Sequence, residues 1–140
     1  MELTIEDRIE IQDLLANYCF SLDDRDWEKF SSLFHAKATL DFSAIGGPKS
    51  NLIDTIEFLK MFGGNVPSWQ HTISTNTLEC SDNHIKSRTA AQVMTITKLP
   101  DGDDNVAFFG LWYRDIFVKE PNGWLIKERI LQSSWAHNTL

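Results

Sequence analysis

The sequence VAFFGLWYRDIFVKEPNGWLIKERILQ, residues 106–132, decides the fold of this chain. Two runs rich in β-branched and aromatic residues, 106–119 and 124–132, flank the turn sequence PNG at 121–123. An Asn-Gly pair between two such runs is a strong hairpin signal. This segment therefore predicts two long antiparallel strands joined by a tight turn.

The chain before this hairpin carries the same pattern. Residues 69–79 and 85–99 read as two further strands, and the turn sequence PDGDD at 100–104 separates the second from residues 106–119. Long strands joined by tight turns pair largely with their sequence neighbours. A sheet of four such strands twists and curls.

The first half of the chain predicts helices. Thr4 followed by Asp7 resembles a capping box and would open the first helix. Apolar residues then recur at three- and four-residue steps, as in a buried helical stripe. They are Ile5, Ile9, Leu15, Tyr18, Cys19 and Leu22.

Two shorter helices and a short strand are expected next. Asp24 or Asp26 would cap the second helix, and Ser50 or Asn51 the third. A short strand over residues 38–42 lies between them. The expected inward residues are Trp27, Phe30, Leu33 and Phe34 for the second helix, and Ile53, Ile56, Leu59 and Phe62 for the third.

These elements predict one α+β domain over residues 1–140. Its three N-terminal helices pack against a curved, mainly antiparallel β-sheet, which forms a cone and encloses a pocket. The outer sheet face would expose Val93, Ile116 or Val118, so we expect a homo-oligomer, foremost a dimer and otherwise a trimer. Trp135 and His137 are expected beyond the last strand, as a lid or a frayed tail.

Composition excludes several classes of function. The 140 residues include 20 acidic and 13 basic side chains, and a net charge of -7 disfavours nucleic acid as a partner. No apolar run reaches the roughly 20 residues of a membrane helix, and the acidic N-terminus is unlike a signal peptide. Cys19 and Cys80 form no disulfide framework, so we expect a reduced, cytoplasmic protein. The dispersed histidines predict no metal site.

Several short motifs, in order, resemble the SnoaL-like branch of the nuclear transport factor 2-like superfamily. The opening marker is IQDLL (11–15) with Tyr18, LDDRDW (22–27) and LF (33–34). The next marker is QH at 70–71, and the closing one is GLWYRD (110–115), NGWLIK (122–127) and Arg129. The resemblance covers nearly the whole chain and implies the same cone, a cystatin-like α+β barrel.

The resemblance also implies a site. Dehydratase-like members of the superfamily carry a catalytic Asp where this chain has Asp23 and a catalytic His where it has His71. The bile acid dehydratase carries a Tyr at the position of Tyr18. In this arrangement His71 is the base, Asp23 fixes its tautomer, and the Tyr18 hydroxyl donates a hydrogen bond where negative charge develops.

The chain also departs from scytalone dehydratase. That enzyme uses a second His where this chain has residues 93–95, Val-Met-Thr, and a second Tyr that falls near Phe42. The general acid is then either Tyr18 or a water held by Asp23 and His71. The residues expected to contact substrate are Trp69, Phe42, Phe109, Trp112 and Arg129.

Three functions fit these observations. The first is a cofactor-independent lyase or isomerase, foremost a dehydratase, acting on an apolar cyclic or polyketide-like molecule. The second is a non-catalytic small-molecule-binding or assembly module of the same fold. The third is the small subunit of a ring-hydroxylating oxygenase, although such chains are usually longer. Contact between His71 and Asp23 in a closed pocket would favour the enzyme.

Overall fold

The first helix, α1, begins where the capping box predicts. In the computed structural model, which describes residues 2–139, the Thr4 side chain accepts from the Asp7 N–H and the Asp7 carboxylate accepts from the Thr4 N–H. The helices are α1 (Ile5–Asp23), α2 (Trp27–Ser32) and α3 (Leu52–Gly64). The strands are β1 (Phe34–Asp41), β2 (Lys49–Ser50), β3 (Ser68–Ser81), β4 (His84–Lys98), β5 (Asp104–Glu120) and β6 (Gly123–His137).

One curved sheet carries all six strands, in the order β2-β1-β6-β5-β4-β3. The four long strands pair antiparallel with their sequence neighbours, as predicted. The strand β1 starts earlier than expected and pairs parallel to β6. The α+β fold, with three helices against a mainly antiparallel curved sheet, is therefore confirmed.

The helix caps are now assigned. Asp26 caps α2 by accepting from the Lys29 N–H at 3.1 Å, and Asn51 caps α3 by accepting from the Asp54 N–H at 2.9 Å. Phe30 is buried on α2, whereas Phe34 is buried in β1 rather than on the helix.

The predicted helical stripes were partly wrong. Ile5, Ile9 and Ile53 are exposed, at 73%, 58% and 70% of their surface. The buried side of α1 instead includes Asp7 and Ile11, each two residues, or about 200° around the helix, from the expected position. The apolar pattern failed here because one buried position of α1 is a carboxylate. Asp7 is buried in the folded protein, where it accepts a hydrogen bond from the Trp124 indole N–H at 2.9 Å.

Two expectations about the sheet were also wrong. Val93 is buried inside the cone, because it pairs directly with His71 and directly paired residues share a sheet face. Trp135 and His137 belong to β6, where they pair with Gly110 and Phe108 of β5.

No helix within residues 2–139 is long and apolar enough to cross a membrane.

Candidate active site

A contact between Asp23 and His71 forms at the mouth of the cone. Asp23 is the last residue of α1, and His71 lies near the start of β3. The Asp23 Oδ1 atom lies 2.8 Å from His71 Nδ1 and also accepts the backbone N–H of His71 at 2.9 Å. One carboxylate oxygen thus holds both the ring and the main chain of the same residue.

This contact sets the tautomer of His71. An ionised carboxylate only accepts hydrogen bonds, so the Nδ1–H group is the hydrogen-bond donor to Asp23. In the neutral imidazole, Nε2 on the other edge of the ring is then the unprotonated nitrogen. Because the His71 side chain is only 9% exposed and lines the internal cavity, Nε2 is the basic atom available to a molecule bound there.

The cavity next to His71 is largely apolar. The space inside it that a water-sized sphere can occupy is about 30 Å³. Besides His71, its walls are Tyr18, Leu22, Phe42, Ile45, Leu59, Phe62, Trp69, Val93, Phe109, Leu111, Tyr113 and Leu131.

Trp69 connects the cavity wall to the histidine. Its indole N–H donates to the Leu22 carbonyl at 2.7 Å, which fixes the ring against the end of α1. The indole meets the His71 ring edge-on, with centroids 5.6 Å apart. Phe42 and Phe109, also expected at the site, line the same cavity.

Two tyrosines and a buried ion pair lie at the inner end of the cavity. Tyr18 and Tyr113 both line it, and their ring centroids are 5.5 Å apart. The Arg129 guanidinium lies over both rings, at 4.0 and 4.2 Å, and makes two 2.7 Å hydrogen bonds to Asp115. Arg129 is fully buried in this cluster and does not line the cavity.

Burial keeps both tyrosine hydroxyls protonated. It raises the pKa of Tyr18 to about 12, against the opposing effect of the Arg129 charge. Burial also raises the pKa of Tyr113 well above its usual value. Both hydroxyls are therefore hydrogen-bond donors, and neither is a base, at neutral pH.

The structure separates Trp112 from the other site residues. Trp112 lies on the outer sheet face, where the Arg88 guanidinium stacks on its ring at 4.3 Å. Its neighbour Tyr113, which the sequence analysis did not select, faces the cavity instead. Consecutive residues of a strand point to opposite faces of the sheet, so Trp112 and Tyr113 cannot both line the cavity.

Other reactive groups are few in the part of the chain that the structure describes. Between residues 2 and 139, no group of three His, Cys, Asp or Glu side chains is placed to hold a metal ion. Burial raises the pKa of the Cys19 thiol to about 11, which disfavours its nucleophilic thiolate form.

Comparison with known proteins places the chain in a family. Residues 3–130 match the model of the SnoaL-like domain, so the chain belongs to the SnoaL-like family. An uncharacterised protein of Mycobacterium tuberculosis, Rv2910c, is 31% identical over 128 residues, which cover 90% of this chain and 84% of that protein. An uncharacterised protein of Mycobacterium bovis, Mb2934c, matches to the same extent.

Solved structures share the fold at low sequence identity. The Kfla4162 protein of Kribbella flavida superposes with a TM-score of 0.84 at 21% identity, covering 95% of this chain and 94% of that one. A hexachlorocyclohexane dehydrochlorinase, LinA type 2, superposes with a TM-score of 0.81 at 13% identity, covering 97% and 90%. The recognised family and the cone-shaped fold are thus confirmed.

Proposed function

We propose that this protein binds an apolar cyclic or polyketide-like molecule in its cavity and removes a proton from it, without a cofactor, in an elimination or isomerisation. The observation that carries this proposal is His71 in an apolar cavity, with its Nδ1 engaged by Asp23. A dehydrochlorinase shares the fold, and its name describes an elimination.

The reaction assigns one role to each group. The His71 Nε2 lone pair takes a proton from carbon, and the Asp23 carboxylate stabilises the imidazolium that forms. In an elimination, the electrons of the broken C–H bond form the double bond and the leaving group departs with its own bonding pair. The neutral hydroxyls of Tyr18 and Tyr113 are the donors for a developing oxyanion or for a leaving oxygen.

The foremost reaction in this class is dehydration. A departing hydroxyl leaves as water once it has received a proton, and Tyr18 or the protonated His71 supplies that proton. Burial raises the Tyr18 pKa to about 12, so this hydroxyl donates a hydrogen bond at neutral pH but gives up its proton less readily than an exposed tyrosine, which favours His71 as the proton source. The two free cysteines, Cys19 and Cys80, fit a reducing compartment, and we place the activity in the cytoplasm.

The test uses a probe reaction that needs only a base in an apolar site: ring opening of 5-nitrobenzisoxazole. There the base removes the C–H proton, the N–O bond breaks, and a coloured phenolate forms. We expect wild type to accelerate this reaction over buffer. His71→Ala and Asp23→Asn should each lower the rate by about a hundredfold or more.

The double variant separates a shared role from two independent ones. If Asp23 acts through His71, the double variant is scarcely slower than either single variant. His84→Ala, at the opposite end of the β3–β4 hairpin, is the matched control and keeps the wild-type rate. A His71→Ala rate equal to that of wild type would contradict the proposal and favour the non-catalytic binding module.

A further inference from the structure

Arg25 joins three parts of the site without belonging to the Asp23–His71 pair. It lies two residues beyond the end of α1 and adopts a left-handed backbone conformation, with φ of 55°. Its Nη1 donates to the Gly63 carbonyl and its Nη2 to the Val66 carbonyl, both at 2.6 Å. Its guanidinium also lies over the Trp69 ring at 4.3 Å.

One of these contacts adds a donor at the C-terminal end of α3, where the Gly63 carbonyl also accepts the Val66 N–H at 3.1 Å. The last carbonyls of a helix lack intrahelical partners and carry partial negative charge, which a cation stabilises. Among the described residues Arg25 has no carboxylate within ion-pair distance, so backbone carbonyls and an aromatic ring are its partners. This use requires the planar, forked guanidinium, since a lysine has no flat face to stack.

Gly63 makes the approach possible. A Cβ on Gly63 would lie 2.7 Å from Arg25 Nη1 and 2.7 Å from Cη2 of Trp69. The end of α3 therefore lies directly on the Arg25–Trp69 stack, with no room for a side chain between them.

The same end of α3 is a wall of the cavity. Leu59 and Phe62 line the cavity from α3, and Phe62 stacks on Trp69 with an interplanar angle of 19°. The helix packs on the sheet chiefly at β1 and β2, away from β3. The C-terminal end of α3 is thus held near β3 by the short link 65–67, by the Phe62–Trp69 stack and by Arg25.

We propose that Arg25 is a positioning residue that determines which ligands fit: it latches α3 onto Trp69 and so sets the width of the cavity beside His71. The contacts of Arg25 with the end of α3 and with Trp69 are called the latch below. The chemical class of the ligand rests on the proposed function, but the existence of the latch does not. Without the latch, the end of α3 moves away from β3, the cavity accepts larger apolar molecules, and smaller ones are held less tightly.

Two measurements test the latch without any turnover. The first is amide hydrogen exchange in the C-terminal half of α3, and the second is binding of two neutral fluorescent probes, 2-naphthol and the larger N-phenyl-1-naphthylamine. For Arg25→Gln we expect α3 exchange at least about tenfold faster, with unchanged exchange in β4 and β5. The ratio of the two dissociation constants should shift about tenfold in favour of the larger probe.

The matched control is Arg88→Gln. Arg88 stacks on Trp112 at the same 4.3 Å distance, but on the outer sheet face. That variant should leave both α3 exchange and the probe ratio unchanged. Arg25→Lys keeps the charge without the fork or the stack, and it should give an intermediate result.

Gly63→Ala tests the latch from the helix side and covers the case in which Arg25→Gln does not fold. Alanine in place of a helical glycine ordinarily slows exchange. Here it should instead speed α3 exchange and shift the probe ratio, because the new Cβ displaces Arg25 or Trp69.

Wild-type exchange and probe ratio in Arg25→Gln, or slower exchange in Gly63→Ala, would overturn the latch. A wild-type protein that binds both probes but fails to open 5-nitrobenzisoxazole would contradict the base assigned to His71 and leave the latch intact.

Discussion

Asp7 joins the first turn of α1 to the last strand. Its carboxylate accepts from the Trp124 indole N–H at 2.9 Å, from the Thr4 N–H at 3.1 Å and from Lys119 Nζ at 3.3 Å. These bonds, foremost that from Trp124, lower the pKa of Asp7 far below its ordinary value of 3.8. The ionised form therefore stabilises the folded state.

The sign of the pH effect follows from this lowered pKa. The stabilisation is complete above the ordinary carboxyl pKa and is lost as the pH falls below about 3.8 toward the folded-state value. We expect Asp7→Asn to lower the urea midpoint at pH 7 and to flatten the loss of stability on acidification. Asp13→Asn, at an exposed position of the same helix, should change neither in urea titrations at pH 7 and about pH 3.

The partner of the Arg129 side chain is a single-residue feature that the sequence did not determine. The sequence predicts a strand arginine that contacts substrate, although an ion pair with Asp or Glu is the commoner role of such a residue. The structure pairs Arg129 with Asp115 across the hairpin. A bulge between Ile116 and Phe117 brings them opposite each other, and turn residues alone do not specify a bulge. Asp23 and His71, by contrast, lay within recognisable motifs.

At the scale of an element, the end of the β5–β6 hairpin depends on a glycine. The indole of Trp135 lies over Gly110, where a Cβ would overlap it. A glycine inside a strand ordinarily weakens it, so alanine there should be favourable if nothing stood in the way. The packing of Trp135 therefore explains why a glycine interrupts the apolar run of β5.

The contact between Gly110 and Trp135 predicts that the effect of Gly110→Ala on the free energy of unfolding depends on the residue at position 135. Gly110→Ala should destabilise wild type by about 1 kcal/mol, because the indole must leave its place. In a Trp135→Ala background the same change should be neutral or stabilising. Urea unfolding of the four proteins measures the coupling, and equal effects in both backgrounds would rule out the contact.

The elements themselves were predictable to unequal degrees. Strands β3 to β6 follow from local alternation and turn residues, and their pairing is between sequence neighbours. The parallel pairing of β1 with β6 joins residues about 90 apart in sequence, such as Thr39 with Glu128, and no local signal encodes it. The inner side of α3 was predicted in part: Leu59 is buried and Phe62 lines the cavity, whereas Ile53 is exposed and the buried Thr55 and Gly63 carry no large apolar side chain.

At the scale of the whole molecule, the outer face of the sheet resembles an interface. A groove there contains Ile116 and Ile130 beside Arg88, Arg114 and Glu128. A twofold interface brings a patch against a copy of itself, which this mixture of apolar groups and both charge signs allows. We propose that the protein is a homodimer through this face.

Light scattering after gel filtration measures this assembly. Wild type should have twice the mass of the chain, and Ile116→Lys should shift it toward the monomer by burying an unpaired cation in the interface. Ile53→Lys, exposed on the helical side, is the control and should leave the mass unchanged. A monomeric wild type at high concentration would exclude the dimer.

The two hydrogen bonds that join His71 to Asp23 have a stereochemical consequence. The carboxylate fixes the imidazole at its ring nitrogen and at its backbone, so the ring cannot turn over and present its other edge to the cavity. In the proposed reaction, a ligand lying beside it therefore meets the base on one side only. The two hydrogens of a methylene group in that ligand are then no longer equivalent, and in the proposed reaction only one of them is removed, which a ligand labelled with deuterium at one of the two positions would show.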